Sequence, residues 1–344
     1  MTGVSIDHPD SLGMAEVIPS VPEQIETALA ALPDGIGGLP AHEDIEHVLV
    51  IGVGASAWVG DALAAIAGET SPVPIVVSRE YELPGFVDEH TLAVVVSWSG
   101  DTEETVEAAE EAVAAGAQLL VVTSGGELAY RAERWESPLV RVDGGGPSRA
   151  MLGALATPAF LALEQCGLMP GARSYLHEAA EHLRSRRAAL TETARDLGKR
   201  IGRTLPLVYG GGPLGAVAAQ RWKSSLNENA KVPAFASRVP DLCHDEVAGW
   251  GQHGDVTRQV FSLVELRHEF EHPQITRRFG LVNELLDEVV SQRFQIEAQG
   301  DSALTQLFEL VLLGDLVSLQ VAVQQGVDPG PVPAVEHIIE GLNR

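Results

Sequence analysis

The chain has 344 residues and a mass of 36.5 kDa, too long for one ordinary domain and enough for two. Hydrophobic residues make up 45% of it, which argues against disorder, and no charge-free apolar run reaches about 18 residues, which argues against a membrane span. Asp and Glu number 48 against 23 Lys and Arg; a net charge of −25 would repel a phosphate backbone, so nucleic acid is not an expected partner.

Residues 1–20 mix Gly, Pro, Ser and Asp and read as a loose arm, followed by a short helix over 21–33. Strands and helices then alternate. His47–Ile51 is a buried strand, leading through Gly52-Val53-Gly54 into an Ala-rich helix that ends near Gly68. Strands follow at 73–78 and Thr91–Ser97, the latter running into Ser97-Trp98-Ser99-Gly100-Asp101-Thr102 and a helix to about Ala115. Gln118–Thr123 and 139–142 read as strands, and 149–166 as a helix. Residues 173–203 form a charged amphipathic connector, after which the pattern restarts. A strand at 205–209, the turn Gly210-Gly211-Gly212-Pro213 and a helix to about Ala230 precede strands at 259–266 and Gln292–Glu297. Helices are expected at 275–287 and 304–325. Strand-turn-helix repeats imply parallel strands, hence an α/β fold built twice. The expected division is an arm and helix at 1–40, a first domain at 41–168, a helical connector at 169–200 and a second domain at 201–344.

Lysine occurs only at Lys199, Lys223 and Lys231, and the acids are scattered rather than gathered in a tail. Self-repulsion of that size fades in molar salt, where the Debye length is about 3 Å. The composition is that expected of a protein from a high-salt organism, with an ordinary acidic protein as the alternative. Cys166 and Cys243 are too few for a disulfide framework or a structural zinc site. No basic leader with a following apolar segment is visible, and a cytoplasmic location is expected.

Both glycine turns follow a strand and open a helix, where backbone amides can approach an anion. The first has Ala57 where a dinucleotide fingerprint would want a third glycine; the second, Gly210 to Gly215, fits G-x-G-x-x-G literally. Either could equally be a tight strand-to-helix connection. The run Ser97-x-Ser99-Gly100-x-Thr102-x-Glu104-Thr105 is more specific. One hydroxyl would suffice to cap a helix; three beside a flexible glycine suit a phosphomonoester held through hydroxyls and amides.

In these motifs the sequence resembles the sugar isomerase (SIS) domains, and more narrowly the archaeal bifunctional phosphoglucose/phosphomannose isomerases. The resemblance rests on the Ser97 turn, on Gly52-Val53-Gly54-Ala55-Ser56, on Pro147-Ser148-Arg149-Ala150 with Leu152-Gly153, and on the run Trp222 to Ala234 containing Asn227-Glu228-Asn229. His244-Asp245-Glu246 and Gly326-Val327-Asp328-Pro329 extend it, in order, from about residue 47 to 340. The resemblance implies two SIS domains, each a doubly wound and mostly parallel sheet, a homodimer with active sites shared between subunits, and no cofactor or metal. It implies a sugar phosphate as substrate, glucose 6-phosphate or mannose 6-phosphate exchanging with fructose 6-phosphate in glycolysis and gluconeogenesis. The sequence departs from the family at Asp101, usually Asn, at Val317, usually Thr, and at Gln324, near which a cation is usual.

Aldose–ketose isomerisation moves a proton between C1 and C2 through an enediolate, which needs a base, a cation for the enediolate oxygen and an acid/base for ring opening. Glu228, near a helix C-terminus whose dipole would raise its pKa, is the candidate base; the ordinary alternative is a surface glutamate paired with Lys231. His244 is the candidate for ring opening, or else a solvated or metal-binding loop histidine. Arg149 would stabilise the enediolate, or merely end the Gly144-Gly145-Gly146-Pro147 loop. Gly54, Ser56, Ser97, Ser99 and Thr102 are the expected phosphate-binding residues. The competing function is a non-catalytic, sugar-phosphate-binding SIS regulator; a nucleotide-dependent oxidoreductase is remote, given Ala57.

Overall fold

A computed structural model of the chain describes residues 9–143 and 145–342. The first elements are a single helical turn, α1 (Met14–Val17), and α2 (Val21–Ala31). The loose arm expected over residues 1–20 needs correcting within its described part. Asp10 accepts from the amides of Met14 and Ala15, both at 2.8 Å, which starts α1, and Met14 and Ile18 are buried. A carboxylate at that point satisfies amides that have no partner inside the helix.

The chain divides into two compact units, one of residues 20–184 and one of residues 1–19 with 185–344. The division falls inside the long helix α7 (Ala172–Ile201), where a separate connector was expected.

In the first unit, β1 (His47–Ile51), α3 (Ala55–Ala67), β2 (Ile75–Ser78), β3 (Thr91–Ser97), α4 (Glu103–Ala114), β4 (Gln118–Thr123), α5 (Gly126–Arg134), β5 (Leu139–Arg141) and α6 (Leu152–Gln165) alternate along the chain. All strand pairs are parallel, in the order β2-β1-β3-β4-β5. Every residue of β3 is buried, as a continuous apolar run in a sheet covered on both faces requires. Alternate strand residues serve the two faces. Leu49, Ile51, Ala93, Val95, Leu119 and Val121 pack with the alanines of α4 and with Leu128 and Ala132 of α5. The helices α3 and α6 lie against strands as well as each other, and α2 lies on α6.

The second unit repeats the plan with β6 (Leu205–Gly211), α8 (Gly212–Ala230), β7 (Phe235–Val239), α9 (Gly254–Val260), β8 (Phe261–Arg267), α10 (Pro273–Leu286), β9 (Gln292–Glu297), α11 (Ala303–Gln325) and α12 (Pro333–Leu342). Its sheet is also parallel, in the order β7-β6-β8-β9. Leu207, Tyr209, Val239 and Leu263 form a core with Ile275, Phe279, Val282 and Leu286 of α10. By length and apolarity α11 could cross a membrane, yet 89% of its most apolar window is buried within the protein. The strand expected at 259–266 begins at Phe261, because residues 254–260 coil into α9 first.

Candidate active site

In a doubly wound sheet, ligands bind beyond the C-terminal ends of the strands, where the strand order reverses. In the first unit that point lies between β1 and β3. The turn 52–54 and the turn 97–102 leave those two neighbouring strands, so the N-termini of α3 and α4 open side by side. Neither N-terminus is capped by its own N-cap side chain: Gly54 has none, and the Thr102 hydroxyl makes no cap bond. Amides left open in this way attract an anion, which the helix dipoles also favour.

The three hydroxyls of the Ser97 turn are not equivalent. Ser97 is buried; its Oγ accepts from the Gly100 amide at 3.1 Å and lies 3.0 Å from Thr102 Oγ1. Ser99 is exposed, and its Oγ accepts from the Asp101 amide at 3.2 Å. Gly100 is obligatory: its φ is +76°, and a Cβ there would lie 1.9 Å from the Gly125 carbonyl oxygen. Asp101, the departure from the family pattern, serves a neighbouring helix. Its Oδ1 accepts from the Glu127 amide at 2.8 Å, in the first turn of α5. The charge is therefore engaged by a helix N-terminus. Ser56 is buried in the first turn of α3, and Arg149 is buried in the one-turn helix Ser148–Ala150 packed against α3.

In the second unit, Glu228 lies half-buried in the last turn of α8. Lys231 caps that helix in the left-handed region, φ +56°, and its Nζ donates to the carbonyl oxygens of Asp328 at 2.7 Å and Asn229 at 3.4 Å. Lys231 thus brings a cation to the Gly326-Val327-Asp328-Pro329 segment. The Asp328 carboxylate in turn accepts from the amides of Gly330, at 2.8 Å, and Ser11. Partial burial would raise its pKa, but the hydrogen bonds from Gly330 and Ser11 and the charge of Lys231 outweigh that and hold it below the usual carboxylate value. His244 is exposed. Two residues on, Glu246 accepts from the hydroxyls of Tyr209 and Ser237. Burial, with the carboxylate beside it, pushes the Tyr209 pKa far up. Val317 is fully buried and Gln324 exposed.

Sequence reasoning did not anticipate the Asp101–α5 bond, the Lys231–Asp328 bond or the Tyr209–Glu246–Ser237 cluster. A further difference lies in the second glycine turn. An added Cβ at Gly211 would lie 2.6 Å from Glu271 Oε1. That carboxylate is held by Arg267, with Nη2 to Oε2 at 2.7 Å, and by the His268 amide at 3.3 Å. The reversal point between β6 and β8 therefore carries an anion of the protein itself.

Paired parallel α/β units, with a hydroxyl-bearing turn between open helix N-termini in one of them, are the architecture of an SIS protein. Residues 43–134 match the family model described as SIS domain, and residues 190–342 that of the bacterial phospho-glucose isomerase C-terminal SIS domain. The chain belongs to the bifunctional phosphoglucose/phosphomannose isomerase family, whose relatives here are bacterial as well as archaeal. It is 32% identical to the enzyme of that name from Caldicellulosiruptor bescii over 94% of this chain and 97% of the relative. With the Aquifex aeolicus enzyme it shares 31% over 86% and 90%. The tagatose-6-phosphate ketose/aldose isomerase of Escherichia coli has the same fold, with a TM-score of 0.69 at 16% identity, covering 93% of this chain and 95% of that one.

Proposed function

We propose that the protein interconverts glucose 6-phosphate, and mannose 6-phosphate, with fructose 6-phosphate through an enediolate. The observation that carries this reading is the pair of helix N-termini without side-chain caps at the β1/β3 reversal point, next to the turn that carries Ser99 and Thr102. Ser97 holds that turn, and Gly54 and Ser56 complete the phosphate cradle.

Glu228 acts as the base on the open-chain sugar. It removes the C2 proton of the aldose as the C1=C2 bond forms and charge moves to O1, where Arg149 stabilises it. The carboxyl then returns the proton to C1 as the C2=O2 bond forms, and the O2 proton passes to O1, which gives the ketose. His244 moves the proton needed for ring opening. The partial burial of Glu228 keeps bulk water from competing for the intermediate.

We further propose a cytoplasmic homodimer with active sites shared between subunits, adapted to high salt. The exposure of His244, and of Val335, Ile338 and Leu342 along one side of α12, supports an assembly that covers them.

A coupled assay with fructose 6-phosphate in molar KCl tests the reaction. Glu228→Gln keeps the shape but cannot take the proton, so kcat is expected to fall about 10²–10⁴-fold with KM nearly constant. Wild-type turnover in D₂O should leave deuterium at C1 or C2 of the product. Near wild-type turnover by the variant would remove Glu228 from its role; binding without turnover by the wild type would make the chain a sugar-phosphate sensor.

A further inference from the structure

We infer that a buried polar network joining α8 to α11 is a positioning device for Glu228; the inference rests on the reading of Glu228 as the base. Asp315 of α11 is 2% exposed and Arg221 of α8 is 3% exposed. They form a two-pronged pair, Nε to Oδ1 and Nη2 to Oδ2, both at 2.9 Å. One turn further along α8, Ser225 Oγ donates to the same Asp315 Oδ1. One more turn on, Asn229 Nδ2 donates to Ser318 Oγ at 2.9 Å, and Ser318 Oγ donates to the Asp315 carbonyl oxygen at 2.6 Å. All five side chains belong to residues at most 3% exposed.

Such a network is a poor way to gain stability. Desolvating a carboxylate and a guanidinium offsets much of their attraction, and well-packed apolar residues of similar volume often do as well or better. What directional bonds supply, and apolar contact does not, is a single register. The surroundings of the network are apolar: Leu226 of α8 and Val317, Leu319 and Val321 of α11 are fully buried. The Trp222 indole adds one more directional bond, to the Leu310 carbonyl at 2.7 Å.

The three α8 members sit where the base needs them. At 100° per residue, Arg221 and Glu228 lie within about 20° of each other on the helix, two turns apart. Ser225 lies about 40° and Asn229 about 80° round the helix from Arg221, and Asn229 is the next residue after Glu228. Fixing 221, 225 and 229 against α11 fixes both the rotation and the height of the helix end that carries the carboxylate. A displacement of about 1 Å at a reacting group can cost about 10²-fold in rate, so the network acts on kcat without touching substrate. Arg221, Ser225, Asn229, Asp315 and Ser318 are positioning residues in this sense.

Two variants test it. Ser318→Ala deletes one hydroxyl and leaves Asn229 without that acceptor. The double variant Arg221→Met with Asp315→Leu replaces the charge pair by apolar side chains of similar volume. Rates are measured per folded molecule with unlabelled and with C2-deuterated glucose 6-phosphate, beside melting curves and beside Glu228→Gln. The expected result is a kcat about 10- to 100-fold lower in both variants, KM within about twofold, and a deuterium effect on kcat at or above the wild-type value. A wild-type kcat per folded molecule in Ser318→Ala, with any loss confined to melting temperature, overturns the inference, whether or not the double variant folds. If Glu228→Gln itself keeps wild-type turnover, the base assignment is what has failed.

Discussion

Replacing Ser99 and Ser97 in turn separates binding from scaffolding within one turn. Ser99 is exposed and its oxygen accepts a single bond, from the Asp101 amide at 3.2 Å, so its hydroxyl proton is available to a phosphate. Ser99→Ala therefore removes one hydrogen bond to a charged group, about 1.5–3 kcal/mol. That converts to a KM for fructose 6-phosphate raised about 10- to 150-fold. The melting temperature should hardly move, because a surface change of this kind is usually worth less than about 0.5 kcal/mol. Ser97 is 1% exposed and its oxygen satisfies the amide of Gly100. Ser97→Ala leaves that donor without its acceptor, at a cost of about 1–3 kcal/mol in stability, and lets the turn shift. The assay is a coupled isomerase rate over a range of fructose 6-phosphate, with a melting curve for each protein. An unchanged KM in Ser99→Ala, or a loss of stability as large as that of Ser97→Ala, would refute the assignment.

Two other outcomes follow from charge and burial. With a net charge of −25, the melting temperature and the dimer fraction should rise together as KCl is raised toward molar concentration, and a flat or falling melting temperature would remove the high-salt reading. Glu265, fully buried in β8, has its pKa raised by burial, only partly offset by the Asn283 amide at 3.3 Å and the charges of Arg293 and Arg267. A carboxyl whose folded pKa is raised stabilises the fold fully below its unfolded value and loses that contribution as pH rises through the folded value. Glu265→Gln should thus gain melting temperature relative to wild type as pH is raised from the ordinary glutamate value of 4.5 upward, and a difference that does not change with pH would refute it.

How much of this was legible in the sequence depends on whether the cause was local. The strands Thr91–Ser97 and Gln118–Thr123 could be read to the residue, because a fully buried parallel strand is an unbroken apolar run between polar turns. The helix Gly126–Arg134 could not. It opens on two glycines, and the carboxylate that meets its first turn, Asp101, lies 26 residues earlier in the chain. The strand Phe235–Val239 was missed because it lies at the sheet edge with only Val239 buried, so no apolar run marks it. At the candidate site, the hydroxyl run announced itself through residue types at fixed spacing. The division of labour within it, with Ser97 turned inward and Ser99 outward, depends on which hydroxyl the fold buries. Lys231 shows the same limit: its partner at Asp328 is 97 residues away, beyond the reach of local spacing.

The two units share one plan and differ at the same place. Both sheets reverse between their first and third strands in chain order, and both reversal points have a glycine turn feeding a helix. In the first unit the third strand ends in hydroxyls and a glycine, with no cation in the turn, so an anion must be held by amides, helix dipoles and hydroxyls. In the second unit the third strand ends in Arg267, whose guanidinium is taken up by Glu271 and lies over the Phe279 ring at 4.2 Å. A second anion brought there would face the Glu271 carboxylate at close range with no unshared cation from Arg267 to offset it. The literal G-x-G-x-x-G of the second turn has a packing cause instead. A Cβ on Gly210 would lie 1.9 Å from the Gly215 carbonyl oxygen, so glycine there lets strand and helix cross in contact. The motif that looked more like a nucleotide cradle is the one the fold uses for packing, and the turn built from serines is the one proposed to hold a phosphate.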